Sequence, residues 1–225
     1  EGVMTWKATD QQGNEAAKVR WDIVPYTRGR GLDVGCGKDK AYPHFIGVDN
    51  LHHAHAFGIG MTPDVVVKDC VDLSLYSDAS MDFVFSSHTL EHVEDTAACL
   101  KEWWRLIRPG GHLVLYLPHA ELYPRIGEPG ANPDHKHYFL PEDIIEHMRA
   151  VSERSDDAWT MVENEVRAET NEYSFFAVFR KNTPNRFDPI PPTCIFDIWQ
   201  RHPGDKPRAL VVRFGAIGDQ LQAGS

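Results

Sequence analysis

Short apolar runs that stop at a glycine or a carboxylate recur through the first 120 residues and set the expected elements. Leu32-Asp33-Val34 and residues 45–48, 65–67 and 81–86 each read as a strand. The last is continuous and apolar, as a parallel strand covered on both faces should be. Residues 112–117 give a fifth strand. Between the fourth and fifth, Leu90, Val93, Ala97, Leu100, Trp104 and Ile107 recur at helical spacing, which predicts a helix over 89–107 stopped by Pro109-Gly110-Gly111. Only residues 38–44 separate the first two strands. A crossover helix normally needs about a dozen residues, so the first helix is expected to shrink to a turn or two. Upstream, Asn14 is placed to cap a helix over 15–26, with Ala17, Val19 or Arg20, Trp21 and Val24 on its apolar side. Downstream, Pro141 opens a helix over 142–151 whose first turn is acidic. Residues 159–167 and 173–180 read as an antiparallel hairpin. The order predicts an α/β sandwich with a mostly parallel sheet closed by that hairpin.

Composition narrows the class without changing this picture. The 225 residues are 42% hydrophobic and 25% charged, and six Trp and eleven Phe supply one good core. The net charge of −10 argues against nucleic acid or an anionic membrane surface as a partner, since phosphates call for a basic face. No apolar run is long enough for a membrane span. Cys36, Cys70, Cys99 and Cys194 form no C-x-x-C pair, so reduced thiols and a cytoplasmic location are expected. From Thr183 the character shifts to a proline-punctuated stretch, within which Cys194 to His202 has the spacing of one short helix. Three regions are therefore expected: a domain over 1–182, a linker over 183–207, and a truncated start of something further over 208–225. An opening at Glu1 rather than Met suits a fragment, with Met4 the other candidate start.

The chemistry concentrates where strands end. Gly35 and Gly37 allow a sharp turn and a close ligand approach after the first strand, and Asp49 ends the second. Two such strand ends side by side form the crevice where open α/β sheets bind nucleotides. A dinucleotide site requires G-x-G-x-x-G and a helix N-terminus for pyrophosphate. Here Lys38-Asp39-Lys40 follows Gly37, no third glycine appears, and Asp33 would repel pyrophosphate. A nucleoside carrying a zwitterionic, sulfonium-bearing tail tolerates that carboxylate better.

Four motifs in order resemble class I S-adenosylmethionine-dependent methyltransferases: Leu32-Asp-Val-Gly-Cys-Gly37, Ile46-Gly-Val-Asp49, residues 81–92 (MDFVFSSHTLEH) and residues 106–113 (LIRPGGHL). The resemblance covers roughly residues 15–181 and implies a Rossmann-like three-layer sandwich with S-adenosylmethionine as cofactor. It implies that the Gly35-Cys36-Gly37 turn passes under the cofactor and that Asp33 holds its amino group. Asp49, with Asn50 beside it, would take the ribose hydroxyls, because two acceptor oxygens match a cis-diol's two donors. Asp69 and Cys70 would lie at the adenine, and Ser86 and His88 would line the cofactor.

Methyl transfer relies on alignment and, for a hydroxyl or amine acceptor, on proton removal. His135 and His119 are the first catalytic candidates, with Tyr123, Asp134 and His137 in the same Pro-, Gly- and His-rich segment, residues 118–140, of the kind that tends to be functional. No metal site is expected: Asp134, His135 and His137 lack a recognisable ligand spacing, and His52-His53-Ala54-His55 is discounted likewise. Glu91 and His92 are given no catalytic role; packing and capping at a helix start account for them as well as chemistry does. Residues 208–223 resemble the opening strand, glycine turn and helix start of heptosyltransferase-like glycosyltransferases, with Gly218 and Asp219 at the acceptor side. The resemblance implies a fused glycosyltransferase domain and a small or saccharide acceptor methylated on oxygen. The competing expectation is a non-catalytic cofactor-binding scaffold.

Overall fold

In the computed structural model the described residues are 15–38, 40–50, 63–152, 158–169, 171–182, 209–213 and 220–224. The Asn14 cap, Asp39, the His52–His55 run, the 183–207 linker with its Cys194–His202 helix, and Gly218 and Asp219 lie outside them. Contacts divide the chain into two units, Glu1–Pro184 and Asn185–Ser225.

The first unit is built on a seven-stranded sheet: β1 (Gly31–Val34), β2 (Ile46–Asp49), β3 (Val65–Val66), β4 (Met81–Ser87), β5 (Ile107–Pro118), β6 (Trp159–Arg167) and β7 (Ser174–Lys181). Their order is β3-β2-β1-β4-β5-β7-β6. The pairs from β3 through β5 are parallel, and β7 runs antiparallel to both β5 and β6. The chain steps outward from β1 through β2 to β3, then returns to place β4 on the other side of β1. That reversal is the topological switch point, and it opens a crevice at the strands' carboxyl ends.

Period-two alternation sends successive side chains to opposite faces. Leu113, Leu115 and Leu117 of β5, with Phe175, Ala177 and Phe179 of β7, join the core beneath α1 (Thr96–Leu106) and α2 (Pro141–Val151). Val114, Tyr116, Phe176 and Val178 face the opposite side, packed with Phe83, Phe85, Phe45 and the N-terminal segment. Both faces are thus covered, which gives the expected three layers. β6 lies at the sheet edge and presents Glu163, Glu165 and Arg167, charges that discourage pairing with another chain.

Three elements depart from the sequence expectation. The helix expected over 15–26 is a 3-10 turn, Glu15–Ala17, followed by further turns. Pro25 cannot donate and disfavours helix at Val24. The buried positions are Ala16, Val19 and Ile23, whereas Trp21 is 78% exposed and belongs to no core. The helix expected over 89–107 breaks in two: a 3-10 turn at Leu90–His92, then α1 from Thr96, where the Asp95 carboxylate accepts from the Ala98 amide at 2.9 Å. β5 correspondingly begins at Ile107, earlier than the expected 112.

In the second unit, β8 (Ala209–Arg213) is the expected strand, but β9 (Gln220–Gly224) stands where a helix start was expected. The two pair antiparallel, so β8 finds a partner for its backbone within the short segment itself.

Candidate functional site

The glycine turn after β1 closes on the neighbouring strands. The Gly35 amide donates to the Val48 carbonyl at 2.8 Å, and the Gly37 amide donates to Asp49 Oδ2 at 3.0 Å. Both glycines have positive φ, +74° and +56°. A Cβ on Gly35 would lie 1.9 Å from Thr89 Oγ1, whereas a Cβ on Gly37 would meet none of the described residues within 4 Å. One glycine is therefore needed to pack the turn on the loop after β4. The other has open space beside it among the described residues.

Asp33 is buried and its Oδ2 accepts from the Ala41 amide at 2.7 Å. Burial pushes its carboxyl up to about 7, opposed by that amide and by Lys40 and reinforced by Asp49. Cys36 is buried beside it, its thiol held up by burial and by Asp33 and Asp49. Asp69 is exposed and forms a local turn, Oδ1 accepting from the Val71 amide at 3.0 Å. Cys70 Sγ lies 3.8 Å from Cys99 Sγ, and its carbonyl accepts from Trp103 Nε1, which fixes the loop after β3 on α1. Asn50 is exposed just beyond Asp49. Ser86 is fully buried, its hydroxyl donating to the Val34 carbonyl at 2.9 Å and tying the ends of β4 and β1 together.

Beyond β4 the chain enters a buried polar cluster, which the sequence did not foreshadow. His88 adopts the left-handed region, φ 50°, which is strained for a non-glycine residue and common at functional sites. Its Nε2 lies 2.9 Å from Ser174 Oγ, and its ring meets those of Tyr116 and Tyr173. Glu91 is completely buried, and neither carboxylate oxygen has a hydrogen-bond partner. Its Oε1 is faced by His88 Nδ1 at 3.7 Å and by His92 Nε2 and His135 Nε2 at 3.8 Å each. Tyr123 stacks on His135, and Tyr173 donates to Glu15 Oε1 at 3.0 Å.

Two backbone bonds assemble this cluster. The Glu91 carbonyl accepts from the amides of Lys136 and His137, at 2.8 and 3.1 Å, and so holds the 134–137 loop against the Leu90–His92 turn. Burial then governs the protonation states. Glu91 is pushed up to about 8, with Glu15 adding to the shift and its own backbone opposing it. His135 is pushed down to about 4 by burial and His92, and His88 falls well below its ordinary value through burial, Lys18 and its histidine neighbours. Both shifts favour the neutral imidazole.

His119 is also buried, but its Nδ1 accepts from the Glu121 amide and its ring meets Phe175; no recorded contact joins it to Glu91. His137 stacks on Phe139, and Asp134 is exposed. Of the two candidates chosen from sequence, the structure brings His135 into the cluster. Glu91 was missed because a carboxylate beside Leu90 at a helix start reads as a cap. Its flanks Leu90 and Val93, both apolar, were the available signal of burial.

Residues 32–115 match a family model described as a methyltransferase domain. Solved structures share the fold. A SAM-dependent methyltransferase from Archaeoglobus fulgidus aligns with a TM-score of 0.55 at 19% identity, over 74% of this chain and 92% of that one. One from Thermotoga maritima, described as a possible histamine N-methyltransferase, aligns at 0.54 and 18% identity, over 75% and 88%. Residues 32–115 thus match a methyltransferase domain, and the chain shares the fold of S-adenosylmethionine-dependent methyltransferases, which supports that molecule as the cofactor.

Among curated relatives, phosphoethanolamine N-methyltransferase 1 of Arabidopsis thaliana is 28% identical over 98 residues, covering 37% of this chain and 20% of the relative. Phosphoethanolamine N-methyltransferase 1 of Triticum aestivum is 26% identical over 172 residues, covering 66% and 34%. The chain thus spans about a fifth to a third of these relatives' length. No helix among the described residues is long and apolar enough to cross a membrane.

The crevice fits the cofactor on its own terms. Open ground above Gly37 admits a ligand against backbone, and carboxylates at the ends of β1 and β2 suit an ammonium and a diol rather than a pyrophosphate.

Proposed function

We propose that the domain transfers a methyl group from S-adenosylmethionine to a hydroxyl of a small polar acceptor bound in the chamber around Glu91. The cofactor supplies a methyl group already activated on a sulfonium. In this reading Asp33 binds the cofactor's ammonium, Asp49 its ribose hydroxyls and the 69–70 turn its adenine, while Ser86 braces the strand ends. Tyr123 and Tyr173 wall the acceptor. A neutral imidazole takes the proton that the acceptor oxygen loses as its new bond to carbon forms and the carbon–sulfur bond breaks with its pair on sulfur. The observation that carries this reading is the group of neutral histidines around one buried carboxylate, next to the turn on which Gly35 packs.

A nitrogen acceptor is the second reading, favoured by the curated N-methyltransferase relatives. A saccharide acceptor and a fused glycosyltransferase domain rest on the tail resemblance alone, so saccharides belong in the acceptor panel without priority. Incubation with methyl-labelled cofactor and a panel of hydroxyl, amine and saccharide acceptors should yield a labelled product and S-adenosylhomocysteine. Tight cofactor binding without turnover across the panel would favour the scaffold alternative.

Two expectations concern the cofactor. Asp49→Ala removes a charge-assisted acceptor and should weaken binding by about 1.5–3 kcal/mol, which calorimetry would read as roughly a ten- to hundredfold rise in Kd. An unchanged Kd would remove Asp49 from the ribose role.

The second expectation is a pH dependence. With the Asp33 carboxyl near 7 and an ammonium requiring its ionised form, affinity should rise roughly tenfold between about pH 6 and 8. Lys40, Asp49, Cys36 and the Ala41 amide surround the group and set that value. The effect on stability has the opposite sense. The folded state holds this proton more tightly, so the contribution is complete below the ordinary value of 3.8 and is lost as pH rises through about 7. Asp33→Asn should flatten both profiles; a slope that survives would assign them to another group.

A further inference from the structure

We propose that Glu91, His92 and His135 form a binding site for one divalent transition-metal ion, with Zn2+ favoured by the donor set. One carboxylate oxygen and two imidazole nitrogens are the ligand trio of catalytic zinc sites that keep a position open, and the 2-His-1-carboxylate set also serves other first-row ions. The three ligand atoms lie within 4.8 Å of one another.

The geometry around Glu91 asks for a cation. A fully buried carboxylate without a hydrogen-bond donor is costly to desolvate. Its imidazole neighbours stand at 3.7–3.8 Å, beyond hydrogen-bonding distance. These distances, and the 4.8 Å that bounds the three ligand atoms, are wider than the roughly 3.3 Å between ligand atoms around a tetrahedral ion with bonds of ~2.0–2.1 Å. Small side-chain rotations would close the difference.

The orientation of His92 is the second observation. Its Nδ1 lies 3.2 Å from the Asp134 carbonyl oxygen. A carbonyl only accepts, so Nδ1 carries a proton and Nε2 is the nitrogen turned toward Glu91 Oε1. A cation placed between these two atoms would be held by both. A backbone carbonyl holding the far nitrogen of a ligating imidazole is also the usual outer support of a metal site. The Lys136 and His137 amides on the Glu91 carbonyl bring His135 to the same point before any ion binds.

The expectation of no metal site considered residues 134–137 by themselves. The ligands instead come from two segments far apart in the sequence, Glu91 with His92 and the loop holding His135, joined by the hydrogen bond between His92 and Asp134. With the ion bound, His135 Nε2 is a ligand, and His88 is the imidazole left to take the acceptor's proton. Open coordination positions would receive an acceptor oxygen. That last role rests on the methyl-transfer reading; binding of the ion does not.

Co2+ substitution tests the site without cofactor or turnover. The full chain, stripped with a chelator, should take up one equivalent of Co2+ with the visible d–d absorption of a four- or five-coordinate ion, displaced by Zn2+. Glu91→Gln and His92→Ala should each lose the band or weaken binding at least about tenfold, while His137→Ala retains it. Circular dichroism verifies folding, and His92, partly exposed, provides the test if Glu91→Gln does not fold. Absence of the band in the folded wild-type chain, or its persistence in both variants, would overturn the site. Because the readout is spectroscopic, a failure here is distinguishable from a failure of methyl transfer.

Discussion

His135→Ala is expected to lower methyl-transfer turnover by about 10²–10⁴-fold, the usual worth of a positioned group acting on the acceptor's proton. The cofactor Kd should stay nearly unchanged, because none of the recorded contacts of His135 reaches the glycine turn or Asp49. The ring is 5% exposed and stacks on Tyr123 with centroids 4.5 Å apart, so its loss also loosens the wall of the chamber. His135→Gln keeps much of the volume without the imidazole and separates packing from chemistry. Turnover within twofold of wild type in both variants would remove His135 from the mechanism. Under the metal-site proposal the same variants also lose Co2+, so the two readouts should fall together.

Gly35→Val is expected to destabilise the fold by roughly 2–5 kcal/mol. A β-branched residue at φ +74° carries a left-handed penalty of about 1–2 kcal/mol. The side chain is also forced onto Thr89, where an ideal Cβ already stands 1.9 Å from Oγ1, an overpacking cost of about 1–3 kcal/mol. The midpoint of denaturant unfolding reads the sum. Gly37→Ala provides the contrast: its Cβ meets none of the described residues, so only the backbone penalty bears on stability, yet it would enter the space proposed for the cofactor. Gly35→Val should therefore lose stability first, and Gly37→Ala should lose affinity first. Equal stability losses would mean that the turn does not pack as described.

The parts that were legible in the sequence are those governed by local rules. Leu32-Asp33-Val34 and residues 81–86 read as strands because a parallel strand between two layers must be apolar throughout. The turn after β1 was visible because only glycine accepts positive φ readily at positions 35 and 37. Tertiary context hid the rest. Pro25 turned an apparent helix into turns that still bury Val19 and Ile23. Asp95, by capping α1 at Thr96, freed Leu90–His92 to form a separate turn, and that break carries Glu91 into the chamber. His135 and Glu91 lie 44 positions apart, and nothing in the spacing reveals that the Glu91 carbonyl binds the loop holding His135.

The central claim is that the crevice at the ends of β1 and β2 holds S-adenosylmethionine and feeds a methyl group to the Glu91 chamber. Equilibrium binding of S-adenosylhomocysteine to the wild-type chain, Asp49→Ala and His135→Ala tests it most directly. The account predicts one saturable site, weakened roughly ten- to hundredfold in Asp49→Ala and unchanged in His135→Ala. Absence of saturable binding to the folded wild-type chain, or equal binding to wild type and Asp49→Ala, would contradict it.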